Sequence, residues 1–233
     1  NGRAIALRLA AEGALVLVAD IDEECGMKTM EMIRKTGGTA MFHHVDVTRS
    51  RSVDSMVSKA VTWGGRLDIM INNAGINRRN QLMDILSDQW QELMEVNLNG
   101  VFYGTRSAAR AMTAAGGGKI VNISSIREEV AGFGNIAYCA AKGGVRMMTR
   151  AAALELAMYR INVNSVGPGY VETDMTRTLL KNPEVMQSTV DSVPWGRLAL
   201  TEEVAAAAAF LACDEANFIT GTTLFVDGGH LTG

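Results

Sequence analysis

Short apolar runs alternate with longer amphipathic segments along the 233 residues of the chain. The runs have strand length, and several are rich in Val and Ile, which favour strands. They lie at residues 14–20, 40–46, 67–72, 119–123, 161–166 and 223–226. The segments between them predict helices at residues 3–12, 23–36, 50–63, 87–115, 137–159 and 202–213.

This alternation predicts βαβ units, and therefore an α/β fold with a mostly parallel sheet. Residues 15–19 form a continuous apolar run, as expected for a parallel strand covered on both faces. Residues 173–197 break the rhythm and contain Pro183 and Pro194, which predicts a partly helical insertion that could act as a lid. Because the chain has no linker or internal repeat, we expect a single domain over residues 1–233.

Composition narrows the range of partners and locations. The chain has 22 basic and 25 acidic residues, a net charge of −3 and no long basic block, so nucleic acid is not an expected partner. The longest apolar run, residues 204–213, is far shorter than the roughly 20 residues of a membrane span, so no membrane partner is expected either. Three widely spaced cysteines indicate reduced thiols and a cytoplasmic location.

One acidic residue suggests a nucleotide site. Asp20 ends the first run and lies 18 residues beyond Gly2, which opens a helix. This spacing suits a carboxylate that binds an adenosine ribose, and its charge would repel a 2′-phosphate, which favours NAD over NADP. A solvated aspartate at a strand end is the open alternative.

Two further strand ends carry candidate cofactor residues. Asp46 ends the second run and is either a cofactor contact or a helix N-cap, a role for which Thr48 and Ser50 compete. The third run is followed by Asn-Asn-Ala-Gly at residues 72–75, where amides can bind backbone or ligand and small residues permit close approach. An ordinary loop would also explain this segment.

A second group of residues suggests proton chemistry. Tyr138 and Lys142 are four residues apart on a predicted helix and therefore share a face, although two snorkelling side chains would show the same spacing. Ser125 ends a predicted strand thirteen residues before Tyr138, and Asn97 lies in the helical segment upstream. A cation about 4 Å from the phenol would contribute about 4 kcal/mol. That interaction would lower the tyrosine pKa from about 10 by up to ~3 units, towards neutrality.

These residue types suit the interconversion of a secondary alcohol and a ketone. Tyr138 would act as general base or acid, and Ser125 would orient the carbonyl oxygen and stabilise its developing charge. Lys142 could also bind the nicotinamide ribose, and Asn97 could hold a water that relays the proton outward.

In order and spacing, these features resemble the short-chain dehydrogenase/reductase family over essentially the whole chain. The matching features are Gly2, Asp20, Asp46, the segment 72–75, Asn97, Ser125, Tyr138, Lys142, Pro168–Gly169 and the Val-Asp-Gly-Gly segment at 226–229. The resemblance implies a doubly wound, Rossmann-like parallel sheet of seven strands with helices on both faces. It implies catalytic roles for Asn97, Ser125, Tyr138 and Lys142. It implies cofactor contacts from Gly2, Asp20, Ile21, Asp46, Val47, Asn73, Ala74, Gly75, Tyr138, Lys142, Pro168, Gly169, Val171 and Thr173.

The resemblance also implies a homotetramer paired through residues 87–115 and 137–159. The small residues that would permit close packing there are Ala140, Ala141, Gly143 and Gly144. Family members begin with a strand and a T-G-x-x-x-G-x-G turn, of which Gly2 is the final glycine. That strand lies centrally, between the strands at 14–20 and 67–72, so the first strand is missing from this chain. We therefore expect about 15–20 further N-terminal residues in the native protein.

The leading hypothesis is an NAD(H)-dependent oxidoreductase for a small secondary alcohol or ketone. The alternatives are an NADPH-dependent 3-oxoacyl-thioester (acyl-carrier-protein) reductase and a non-catalytic dinucleotide-sensing protein. The substrate stays open: Arg127, Glu128 and Glu129 after Ser125 are either contacts for a polar substrate or solvated loop charges. Since His43 and His44 lack a third ligand at metal-like spacing, we expect no catalytic metal.

Overall fold

The computed structural model describes residues 1–173, 176 and 182–233, and this part of the chain contains six strands. Every strand pairing is parallel, and each strand lies within or beside one of the six predicted runs, so the α/β prediction is confirmed. The strands are β1 (Val16–Asp20), β2 (Ala40–His44), β3 (Ile69–Asn72), β4 (Gly118–Ile123), β5 (Ile161–Pro168) and β6 (Thr223–Val226).

Helices connect these strands in the predicted order. They are α1 (Gly2–Ala11), α2 (Glu23–Lys35), α3 (Ser50–Gly64), α4 (Ser87–Met94), α5 (Gly100–Ala115), α6 (Ile136–Leu156), α7 (Pro183–Asp191) and α8 (Thr201–Ala212). The single helix predicted over residues 87–115 is wrong in one respect, because a π-helical turn at Glu95–Asn99 separates α4 from α5. Helix α7 confirms a helical part within the insertion at 173–197. Residues 174–175 and 177–181 of that insertion lie outside the described residues, and its role as a lid stays a prediction.

The strands form two sheets. One contains β1 and β2, and the other has the order β3-β4-β5-β6. The facing edges β1 and β3 line a common cavity, together with α1. The further strand expected between residues 14–20 and 67–72 would lie in this space, and that expectation stays a prediction.

Helices cover both faces of the larger sheet. On one face, Val121, Ile123 and Val166 pack against α8. On the other, Ile120 and Val163 pack with residues of α5 and α6. Alternate residues of β4 and β5 thus enter two different cores, which is the doubly wound arrangement, and each buried aliphatic side chain contributes about 1.5–3 kcal/mol.

A buried chain of polar side chains crosses the larger sheet. The Asn72 amide donates to Asn122 over 2.9 Å, Asn122 donates to Thr149 over 2.9 Å, and the Thr149 and Ser165 hydroxyls are 2.9 Å apart. Asn72 and Asn122 are also register partners in β3 and β4. The chain of hydrogen bonds therefore fixes the strand ends that lead into Asn73 and Ser125. No helix of the described residues is long and apolar enough to cross a membrane.

Candidate active site

The carboxyl ends of the parallel strands gather at one edge, where a cavity of about 2200 Å³ opens and continues between β1 and β3. In open α/β sheets, ligands bind at this edge. Every residue predicted from the sequence to form the site lines the cavity, except Asn97. The lining set is Gly2, Asp20, Ile21, Asp46, Val47, Asn73, Ala74, Gly75, Ser125, Tyr138, Lys142, Pro168, Gly169, Val171 and Thr173.

The structure brings Ser125, Tyr138 and Lys142 together. Helix α6 presents Tyr138 and Lys142 one turn apart, with the Lys142 ammonium 5.5 Å from the centroid of the Tyr138 ring. Ser125 lies two residues beyond Ile123, the last residue of β4, and is itself buried. The Lys142 ammonium is also buried and donates a 2.8 Å hydrogen bond to the Ile123 carbonyl at the end of β4.

The protonation of Tyr138 differs from the sequence prediction. Burial raises the pKa of the phenol, while a hydrogen bond from Ser125 and the positive charge of Arg127 oppose this increase. The Lys142 ammonium is directed to the Ile123 carbonyl. The prediction that Lys142 brings the pKa of Tyr138 towards neutrality is therefore wrong for this arrangement.

Lys142 is influenced by a buried acid. Burial lowers the pKa of Lys142 to about 8, and the negative charge of Glu128 opposes this decrease. The Glu128 side chain has no exposed surface, and its Oε1 lies 4.0 Å from Arg146 Nε. Burial raises the pKa of Glu128, against the effects of Ser124, Thr223 and Arg146. Glu128 is thus neither a solvated loop charge nor a cavity residue, which corrects both sequence interpretations.

Asn97 lies in the π-helical turn and is completely buried beside the cavity loop. Its Oδ1 accepts a 3.0 Å hydrogen bond from the Ile76 amide, and its Nδ2 donates a 2.8 Å bond to the Ile76 carbonyl. A Cβ at Gly75 would lie 2.7 Å from Asn97 Oδ1, so this loop requires glycine there. Asn97 therefore positions residues 73–76, and its role in holding a water stays a prediction.

The part of the cavity around Gly2 and Asp20 is lined by groups that can bind a nucleotide. Helix α1 begins at Gly2, where an added Cβ would lie 2.6 Å from Asn73 Nδ2, so the helix N-terminus is close to the 73–75 loop. Asp20 Oδ1 accepts a 3.0 Å bond from the Asp22 amide at the cavity wall. A helix N-terminus suits a pyrophosphate and a strand-end carboxylate suits a ribose, so these residues fit a dinucleotide.

Asp46 makes contacts within its own loop. Its carboxylate accepts hydrogen bonds from the Thr48 amide and hydroxyl and pairs with Arg49 over 3.1 Å. The Thr48 hydroxyl lowers the pKa of Asp46, against the effect of burial. The interpretation of Asp46, Thr48 or Ser50 as the N-cap of α3 is wrong, because Arg49 occupies that position.

Beyond β5, the cavity wall is stabilised by short-range bonds. Val171 forms a bridge with Ala199, and its carbonyl accepts a 2.6 Å bond from the Thr176 hydroxyl. The Thr173 amide donates to the same hydroxyl over 3.0 Å. These bonds fix the backbone after Pro168–Gly169 in the wall of the cavity.

The sequence prediction named Arg127 as a possible contact for a polar substrate, and it missed Tyr170, the partner of Arg127 beside Ser125. The Arg127 guanidinium donates a 2.7 Å hydrogen bond to the Tyr170 hydroxyl, and both residues line the cavity. The available signal for Tyr170 was its position directly after Pro168–Gly169.

Comparisons with known proteins agree with this geometry. A family model described as enoyl-(acyl carrier protein) reductase matches residues 2–230. The chain is 41% identical over 222 residues to cyclopentanol dehydrogenase from Comamonas testosteroni, covering 95% of this chain and 89% of the relative. It is 42% identical over 231 residues to trans-4-hydroxycyclohexanecarboxylate dehydrogenase from Sinomonas cyclohexanicum, covering 97% and 86% of the two chains.

A solved structure shares the whole fold. The gluconate 5-dehydrogenase from Burkholderia cenocepacia, crystallised with NADP and tartrate, has a TM-score of 0.94 and 37% identity. The match covers 99% of this chain and 90% of that chain. Together with the family match along nearly the whole sequence, it shows that the chain belongs to the short-chain dehydrogenase/reductase family, oxidoreductases that bind nicotinamide cofactors.

Proposed function

We propose that the protein transfers a hydride between NAD(H) and a small secondary alcohol or ketone, with Tyr138 as the general acid or base. The observation that carries the proposal is the meeting of Ser125, Tyr138 and Lys142 in the cavity that also contains the nucleotide-binding candidates. The names of the relatives, which are dehydrogenases of cyclic alcohols, support a cyclic secondary alcohol as the first substrate to examine.

Each of the three side chains has a distinct task. The nicotinamide, when bound, supplies or accepts the hydride. Tyr138, whose pKa is raised by burial, carries its proton at neutral pH and is ready to donate it to a carbonyl oxygen. Ser125 donates a hydrogen bond at the same place and stabilises negative charge on that oxygen. Lys142 adds positive charge from a buried position, where the effect of a charge on developing negative charge is larger than in bulk water.

NAD is the proposed cofactor because Asp20 stands at the ribose end. Its carboxylate would accept hydrogen bonds from a ribose diol and repel a 2′-phosphate. Asp20→Ala should therefore improve relative use of NADPH. A hundredfold preference of the wild-type protein for NADPH would contradict this argument and favour the 3-oxoacyl-thioester reductase.

The substitution Tyr138→Phe tests the chemistry directly. It removes the phenolic proton and retains the ring that packs near Lys142. We expect NADH binding, measured by fluorescence, to stay within about threefold of wild type, and turnover of cyclic secondary alcohols to fall by at least the 10²-fold typical of a lost acid–base group.

The matched control is Tyr159→Phe, because Tyr159 is exposed in the short 3₁₀ turn Ala157–Tyr159 that follows α6. It should leave both quantities unchanged. Unaltered turnover in Tyr138→Phe would remove this residue from the mechanism. A wild-type protein that binds NADH and turns over no alcohol, ketone or 3-oxoacyl thioester would instead be the non-catalytic dinucleotide sensor.

The proposal also includes a cytoplasmic homotetramer. The free state of Cys25, Cys139 and Cys213 supports a reducing compartment. An exposed apolar stripe, formed by Met147 and Leu154 of α6 and by Met158 of the turn after it, supports association between copies of the chain.

A further inference from the structure

The positively charged side chain of Arg127 lies at the substrate end of the cavity, next to the proposed catalytic residues. Arg127 is two residues after Ser125, on the short 3₁₀ turn Ile126–Glu128, and it lines the cavity together with Tyr138 and Tyr170. Its charge is close enough to act on the Tyr138 phenol. A group bound by Arg127 would therefore belong to the same molecule whose oxygen meets Tyr138.

The guanidinium is held in place by the protein. It donates hydrogen bonds to the Ala131 carbonyl over 2.8 Å and to the Tyr170 hydroxyl over 2.7 Å, and it lies 5.7 Å from the centroid of the Tyr170 ring. Tyr170 packs edge-on against His230, whose Nδ1 is 2.8 Å from the Ser192 carbonyl. Since an arginine has five N–H donors, three remain for a ligand.

The acidic groups around Arg127 do not neutralise it. Among the described residues, Glu129 pairs with Arg146, and Glu128 is buried on the same side as Arg146. Glu172 lines the cavity but forms no ion pair with Arg127 in the described part of the chain. A partly buried, immobilised guanidinium without a carboxylate partner is well suited to bind a carboxylate through two hydrogen bonds.

We propose that Arg127 binds a carboxylate of the substrate, so that the enzyme acts on a secondary hydroxy acid or the corresponding oxo acid. This inference rests on the proposed function and adds the substrate class. The competing interpretation is that Arg127 only secures Tyr170 and the 127–131 turn.

The decisive experiment compares hydroxy acids with their primary amides, which have nearly the same shape and no charge. The panel contains cyclic and linear compounds with the carboxylate two to five bonds from the carbinol carbon, assayed with NAD at constant ionic strength. For at least one pair, we expect wild-type kcat/KM to be at least tenfold higher for the acid. Arg127→Gln should abolish this preference, so that the acid-to-amide ratio of kcat/KM falls to about one. Because the charge of Arg127 also acts on Tyr138, any change in kcat/KM common to acid and amide is separate from this ratio.

Further variants show whether the preference for the acid depends on the charge or on the shape of residue 127, and whether a neighbouring arginine causes it instead. Arg127→Lys, which keeps the charge, should retain part of the preference. Arg78→Gln is the matched surface control, because Arg78 does not line the cavity and its charge is paired with Glu92, and it should retain the full preference. Arg79 also lines the cavity, so loss of the preference in Arg79→Gln but not in Arg127→Gln would overturn the proposal.

A binding measurement tests the proposal where a variant or a substrate gives no measurable turnover. An oxo acid of the panel should raise the melting temperature of the wild-type protein and of Arg127→Lys, and the corresponding oxo amide should not. Equal kcat/KM for acid and amide throughout the panel, or an undiminished preference in Arg127→Gln, would contradict the carboxylate site. Turnover of neutral alcohols alone would refute this inference and leave the proposed function intact, whereas no turnover of any alcohol would refute the proposed function.

Discussion

At the scale of single residues, Lys142 is a charged group in a place that disfavours charge. Its ammonium is buried, and its one hydrogen-bond partner in the described structure is the Ile123 carbonyl. Burial therefore lowers its pKa from 10.5 to about 8. A buried ammonium with a lowered pKa is common among catalytic lysines, as the proposed function requires of Lys142.

Lys142→Met makes the cost of burying this charge measurable. Below pH 8 the lysine is charged in both the folded and unfolded states, and burial of the charge costs about 3 kcal/mol. Between pH 8 and 10.5 the folded state loses its proton first, so the wild-type protein recovers stability as pH rises. We expect the unfolding free energy of wild type relative to Lys142→Met to increase by about 3 kcal/mol over this window, measured by urea unfolding.

At pH 7 the methionine variant should be as stable as wild type or more stable, although the Ile123 carbonyl loses its donor. Its turnover should be abolished. A difference between the two proteins that is independent of pH would show that burial does not perturb Lys142.

The sequence was sufficient to place these residues and insufficient to assign their charges. Helical spacing puts Tyr138 and Lys142 on one face, and the apolar run before Ser125 puts that serine at a strand end. The pKa of Tyr138 instead depends on where the Lys142 ammonium points, and the Ile123 carbonyl that receives it is a tertiary contact. Spacing also cannot show that Glu128 turns inward while Arg127 faces the cavity.

At the scale of elements, the positions of the helices followed from periodicity, but one irregularity did not. The π-helical turn at Glu95–Asn99 inserts an extra residue into an otherwise continuous helical pattern, and it turns Asn97 towards Ile76. Because the flanking segments keep their apolar faces, the pattern of 87–115 resembles one long helix. Such turns are frequent at functional sites, where they re-aim a side chain.

The close packing of α5 on β3 depends on Gly104. An added Cβ there would overlap Asn72 Oδ1 and lie 2.9 Å from the Met70 side chain. Gly104→Ala should therefore destabilise the protein by about 1–3 kcal/mol, despite the better helix propensity of alanine. It should also lower turnover, because Asn72 holds the strand end that leads into Asn73.

The matched control is Gly64→Ala at the end of α3. A Cβ at Gly64 would meet only Leu15 at 4.0 Å, so this variant should be neutral or more stable by about 0.5 kcal/mol. Urea unfolding of both variants checks the comparison. Equal stability of Gly104→Ala and Gly64→Ala would mean that α5 can move away from β3 without cost.

At the scale of the whole molecule, sequence patterns predicted the order and direction of the strands, since each apolar run follows a helix of crossover length. They could not show which of the small residues on α6 are exposed and which are buried within the chain. Of the small residues expected to face another subunit, Ala141 is fully buried and a Cβ at Gly144 would meet Leu98 within its own chain. Gly143, by contrast, is open: apart from the adjacent backbone of its own helix, no atom of the described residues lies within 4 Å of its Cβ position.

Exposed apolar side chains lie on α6 and on the 3₁₀ turn that follows it. Met147 and Leu154 are 60% and 83% exposed, and their spacing of seven residues places them on one side of the helix; Met158, 78% exposed, lies in the turn at Ala157–Tyr159. An exposed apolar stripe of this length indicates a contact between proteins. Pairing of two such stripes through a twofold axis would bury them in a homo-oligomer, as the proposed tetramer requires.

Leu154→Glu should therefore break this contact, because it places a carboxylate in the middle of an apolar interface. We expect light scattering to give the mass of four chains for wild type and of two or one for Leu154→Glu, with no loss of secondary structure by circular dichroism. Met27→Glu introduces the same charge at an exposed methionine of α2 and should leave the mass unchanged. A wild-type protein that remains at 25.0 kDa at assay concentration would refute the tetramer. A tetramer insensitive to Leu154→Glu would instead show that another surface forms the contact.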